Sequence, residues 1–168
     1  MRNVVVAIFL IAAASFPAGA QESVAPPAIY KPGADIMAEL DRAAATSASA
    51  GGWSVSVSPG VSVRRRSSAV PQFAIVHPFS VEIYRILEGS GTLVTGGFLE
   101  LPLAESTNPN LIRTERGIRD GLARQAREGD ILVLQPGTPH WFQSIDGDSL
   151  TYMESRIQIT THPVQFQP

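Results

Sequence analysis

From residue 53 onward the chain alternates. Trp53, Val55 and Val57 stand between serines, and Val61 and Val63 repeat the pattern after a Pro59-Gly60 turn. Alternation of this kind places apolar side chains on one face of an extended segment, as half-buried antiparallel strands require. Further strands are predicted over 73–76, 81–87, 91–95, 98–101, 129–134, 141–145 and 150–159. Glu88-Gly89, Gly96-Gly97, Pro136-Gly137 and Asp146-Gly147-Asp148 punctuate them as turns. Upstream the spacing is helical instead: Ile36, Met37, Leu40, Ala43 and Ala44 share one side of a helix predicted over 35–45, with Asp35 as its cap. No alternation of strands and helices is present, so the pattern predicts an all-β sandwich or barrel with one short N-terminal helix. Residues 104–128, dense in arginine, read as a long surface connection.

The chain's 168 residues, 44% of them hydrophobic, suffice for a single core and leave no room for a second catalytic domain. The first twenty positions read as a secretory signal: Met1-Arg2-Asn3 is cationic, 4–16 are apolar, and Ala18-Gly19-Ala20 offers small residues for cleavage before Gln21. Residues 21–50 then form an N-terminal arm, a short helix and a small-residue linker, and 51–168 the barrel. The apolar run falls short of the ~20 residues needed to span a bilayer, so the mature chain is expected to be exported, periplasmic or secreted, with no membrane anchor. With no cysteine, packing alone must supply its stability in an oxidising compartment.

The formal charge is -2, and loss of Arg2 with the leader makes it more negative, so no global basic field is available to hold nucleic acid. The one basic run, Arg64-Arg65-Arg66, reads as a solvated strand end. The alternative is that Arg64 or Arg66 reaches the barrel mouth and holds a carboxylate. Gly89-Ser90-Gly91 joins strand to strand, so no helix N-terminus follows it to receive a phosphate.

Candidate chemistry lies in two segments that contain two of the three histidines. The first runs from His77 through Glu82 and Tyr84 to Gly89-Ser90-Gly91; the second from Gly129-Asp130 through Gln135-Pro136-Gly137-Thr138-Pro139-His140 to Phe142. Together they resemble the two motifs of the cupins, small β-barrels whose first motif is His-x-His followed by a Glu and a glycine turn, and whose second is Gly-Asp, an apolar strand, a proline-glycine turn and a His. The resemblance covers roughly residues 51 to 160 and implies a single cupin-type barrel, a double-stranded β-helix or jelly roll. The family's first histidine falls on Ile75, and Gln135 stands at its first turn proline.

The resemblance thus implies a three-residue metal set, His77, Glu82 and His140, facing into the barrel. Two imidazoles and a carboxylate suit Fe, Mn, Zn or Ni and leave coordination positions for water or substrate. The opposing reading keeps His140 as a hydrogen-bonded core residue and Glu82 as the partner of an internal arginine or tyrosine, without metal. If Glu82 points inward, alternation brings Tyr84 and Ile86 to the same face, making Tyr84 a candidate catalytic residue that positions substrate or relays a proton. His140 and Phe142 share a face, with Trp141 opposite, so Phe142, Ile75 and Ile86 are the candidate pocket wall. A small-molecule ligand is implied, and family resemblance adds homodimerisation. Lewis-acid isomerisation or hydrolysis, dioxygen chemistry, plain ligand binding and a structural, dimer-forming barrel all stay open, because the fold does not choose among them. His162 lies outside both motifs and is assigned no role.

Overall fold

A computed structural model describes residues 26–47 and 49–159. The predicted signal segment and His162 lie outside the described residues. Helix α1 (Gly33–Thr46) precedes strands β1 (Gly52–Ser58), β2 (Val61–Ser67), β3 (Ala74–Val76), β4 (Ser80–Glu88), β5 (Ser90–Thr95) and β6 (Phe98–Leu99). Then come β7 (Ile112–Thr114), β8 (Ile118–Arg119), β9 (Leu122–Arg127), β10 (Ile131–Leu134), β11 (His140–Ile145) and β12 (Ser149–Gln158).

Two five-stranded antiparallel sheets form, in the orders β1-β2-β12-β4-β10 and β7-β3-β11-β5-β9. Leaving out β1 and β7, each sheet has four strands, and the eight interleave as the two Greek keys of a jelly roll. Consecutive strands therefore alternate between sheets: β2 and β4 lie in one, β3 and β5 in the other. The two sheets enclose a core of Tyr84, Ile86, Leu93, Leu134, Phe142, Leu150 and Tyr152.

The helix begins two residues before its predicted start. Pro32 precedes it without a side-chain cap, and Asp35 sits in the first turn, where its charge meets the positive end of the helix. Its buried residues, Ile36 and Leu40, pack on Val55 and Val63, covering the outer face of β1 and β2. Alternation turns Val55 and Val63 toward the helix, and the core between the two sheets draws its buried side chains from other strands.

The 104–128 segment differs from its predicted form: it contains β7, β8 and β9 rather than a long connection. Of the six residues in β9 only Ala126 is buried, because β9 is the edge of its sheet. Its polar side chains leave no alternation to read, and charged edges of this kind discourage pairing with other chains.

Two glycines are required by local geometry. Gly89 turns β4 into β5 at φ 77°, and a Cβ there would lie 2.5 Å from the Ser149 carbonyl oxygen. At Gly117, φ 102°, a Cβ would come within 2.9 Å of the Trp141 ring, so the missing side chain is the space the indole fills.

Candidate metal centre

Along β4, Ser80, Glu82, Tyr84 and Ile86 are all buried and the residues between them are less so, as alternation predicts. His77 lies just before β4, and His140 opens β11 with Phe142 on the same buried face. The Gly137 amide donates to the His77 carbonyl at 3.1 Å, which ties the turn of the second motif to the first. His77, Glu82 and His140 come together: one ligand atom from each lies within 4.8 Å of the others, and all three side chains are buried.

Both imidazoles are oriented by backbone carbonyls. His140 Nδ1 donates to Thr138 O at 3.0 Å, and His77 Nδ1 donates to Asn110 O. A carbonyl can only accept, so each Nδ1 carries the proton and each Nε2 presents a lone pair inward. Burial pulls the pKa of each ring down to about 4, so both are neutral near pH 7. For His77 the Glu82 carboxylate works against that fall, with Arg156 and His140 adding to it. Glu82 Oε2 lies 3.2 Å from His140 Nε2 and Glu82 Oε1 3.6 Å from His77 Nε2. Two ring lone pairs and a carboxylate thus converge on one point, and such a focus calls for positive charge.

Part of that charge comes from the chain itself. Arg156 donates through Nε to Glu82 Oε1 at 2.8 Å and through Nη2 to His77 Nε2 at 3.0 Å. Its Nη2 also lies 2.8 Å from Glu154 Oε1, and Arg64 Nε is 2.8 Å from Glu154 Oε2. Burial pushes the Glu154 carboxyl up, against the pull of Arg64 and Arg156. At His140 the donor is Tyr84, whose hydroxyl lies 3.2 Å from Nε2. Burial raises the Tyr84 pKa well above its usual value, so the phenol keeps its proton and donates.

The donor set fits a divalent cation by its chemistry: two neutral imidazoles held in the right tautomer by carbonyls, and one carboxylate. Arg156 lies on two of the three donors.

A cavity of about 230 Å³ opens beside this set. His77, Tyr84 and His140 border it, with Phe73, Ile75, Leu111 and Phe142 as its apolar wall. Ile86, expected in that wall, instead packs in the core, one step further along the inward row of β4 and 1% exposed. Trp141, expected to face away, borders the cavity, with its indole Nε1 donating to Gln72 O at 2.8 Å. Ile75 is the Cα partner of His140 across β3 and β11, so the position of the family's first histidine is an apolar wall residue beside the set.

The arginine run is not a solvated strand end. It lies inside β2, paired with β1 on one side and β12 on the other. Arg64 and Arg66 point to the cavity, whereas Arg65 meets Asp41 of α1 at 2.7 Å on the outer face. Sequence reasoning missed Arg156, Glu154, Tyr152 and Asn110. Alternation in β12 held the signal for three of them, since Tyr152, Glu154 and Arg156 continue the inward row begun by Leu150. Asn110 gave none, because it reaches His77 through a backbone carbonyl and Phe79 and Ser80 through its side chain from a loop 30 or more residues away.

No family model matches the chain, and no curated protein matches it. Solved structures similar to it include the cupin domain of Drosophila melanogaster CENP-C, 13% identical with a TM-score of 0.38, over 58% of this chain and 60% of that one. The DMSP lyase DddQ of Ruegeria pomeroyi is 17% identical with a TM-score of 0.39, over 70% of this chain and 51% of that one. A recombinant oxalate oxidase bound to glycolate is 19% identical with a TM-score of 0.37, over 64% and 50%. The chain spans less than two thirds of the length of each. The strand order on its own defines the class of fold, a small antiparallel jelly-roll barrel, and His77, Glu82 and His140 meet on its inward face.

Proposed function

We propose that this is an exported cupin-type barrel that holds a divalent metal ion at His77, Glu82 and His140 and binds or transforms a small molecule in the adjoining cavity. The observation that carries the reading is the convergence of two Nδ1-protonated, neutral imidazoles on one buried carboxylate. A bound cation would supply Lewis acidity or a site for an oxygen ligand. The chain's own contribution is positional. Asn110 and Thr138 fix the imidazoles, Tyr84 keeps a proton at the edge of the cavity, and the apolar wall limits water.

One observation favours a second reading, a metal-free binding module: Arg156 already supplies a cation to Glu82 and His77. Elemental analysis of the mature protein, purified without a histidine tag, separates the two. The metal reading expects about one equivalent of a divalent ion, lost in His140→Ala. Absence of stoichiometric metal, or metal content unchanged in His140→Ala, overturns it. Under the metal-free reading, Arg156→Gln is the variant that gains metal affinity, because it withdraws the competing guanidinium.

A further inference from the structure

Four arginines border the cavity: Arg64, Arg66, Arg113 and Arg156. Glu154 and Glu82 account for two of them, since Arg64 and Arg156 converge on Glu154 and Arg156 also reaches Glu82. Among the described residues, Arg66 and Arg113 have no carboxylate within ion-pair distance. Arg66 has one hydrogen bond, from Nε to the Tyr152 hydroxyl at 3.3 Å. Arg113 stacks over the Phe73 ring at 4.8 Å and has a long contact of 3.4 Å from Nη2 to Glu105 O, while its Nε is buried without a partner. Leaving a charged donor buried and unpaired costs free energy that a ligand can recover.

The two come from opposite sheets, Arg66 from β2 and Arg113 from β7, and meet the same cavity. The one carboxylate among the residues lining the cavity does not offset them, since Glu154 already faces two guanidiniums. The same cavity is lined by the apolar side chains of Phe73, Ile75, Leu111 and Phe142, with Arg113 stacked on Phe73.

We infer that the small molecule taken by the cavity is a compact organic acid, its carboxylate held by Arg66 and Arg113 and its apolar body against Phe73, Ile75 and Phe142. Guanidinium forks match a carboxylate geometrically as well as in charge. About 230 Å³ is room for an acid of a few carbons or one ring. The inference rests on the cavity being a small-molecule site, but not on a metal being present.

The test compares acids with their neutral amides of the same shape: benzoate with benzamide, and 2-methylpropanoate with its amide. Binding to the mature protein is read by calorimetry and by the fluorescence of Trp141, which borders the cavity. Each titration is run with and without prior chelator treatment, with metal content measured on every sample. At least one acid is expected to bind at least about tenfold more tightly than its amide. Arg66→Gln and Arg113→Gln each remove that preference and leave the metal content unchanged. Arg113→Lys, which keeps charge but loses the fork, falls between. Equal binding of acid and amide, an acid preference untouched in both glutamine variants, or no acid binding at millimolar concentration overturns the inference. Should a glutamine variant fail to fold, the acid-amide comparison on the unaltered chain decides by itself. Failure of the metal reading shows separately, as an intact acid preference in protein that never contains metal.

Discussion

Arg64, Arg65 and Arg66 are adjacent in the chain and belong to different parts of the molecule. Alternation sends Arg65 to the helix side and its neighbours to the cavity, so one tripeptide serves both faces of β2. A charge run read by composition looks solvated; read by strand parity it divides. The same parity was legible for Glu82, Tyr84, His140 and Phe142, whose places on inward rows follow from sequence. Parity could not reveal that Arg156 would share Glu82 with the histidines, because that contact joins β12 to β4 across 74 residues. Glu154→Gln should cost about 2 kcal/mol in urea denaturation, below the roughly 3–5 kcal/mol of a fully buried pair, because Arg64 and Arg156 are each about a quarter exposed. Tyr84→Phe should cost less, about 1 kcal/mol, since it removes one neutral hydrogen bond and retains the ring.

At the scale of elements, burial rather than charge attaches α1 to the barrel. Leu40 is fully buried against Val55 and Val63, whereas Asp41, the partner of Arg65, is 68% exposed. Leu40→Ala should lower stability by about 3 kcal/mol and Asp41→Asn by less than about 0.5 kcal/mol, both readable from chemical denaturation midpoints. Strands with one buried face were predictable to within two residues, and so was the helix. The exceptions, β7, β8 and β9, are two or three residues long or lie at a sheet edge. There, burial selects one side chain in six, and no hydrophobic period survives to be read.

For the whole molecule, the inward rows are graded. Toward one end of the barrel lies Leu150, then Tyr152 level with Ile86, then Glu154 level with Tyr84, and toward the other end Arg156 level with Glu82 beside the two histidines. Polar residues concentrated at one end make stability depend on pH. With unfolded values near 6.5 and folded values of about 4, His77 and His140 take up protons more readily in the unfolded chain. Their stabilising contribution is complete above about pH 6.5 and is lost as pH falls toward 4. Glu154, raised by burial, acts with the opposite sign over the lower part of that window. Metal-free protein is expected to show a denaturation midpoint that declines between pH 6.5 and 4. A flat profile, or one that shifts to match His77→Gln without loss of slope, would count against neutral buried rings.

Ile75, opposite His140, has a kinetic consequence. A cation held by three protein donors is expected to be released faster than from the same barrel with a fourth. Ile75→His would slow that release, measurable as a longer half-time for removal by a chelator. In this reading, one apolar side chain sets how long the barrel remembers the metal it last met.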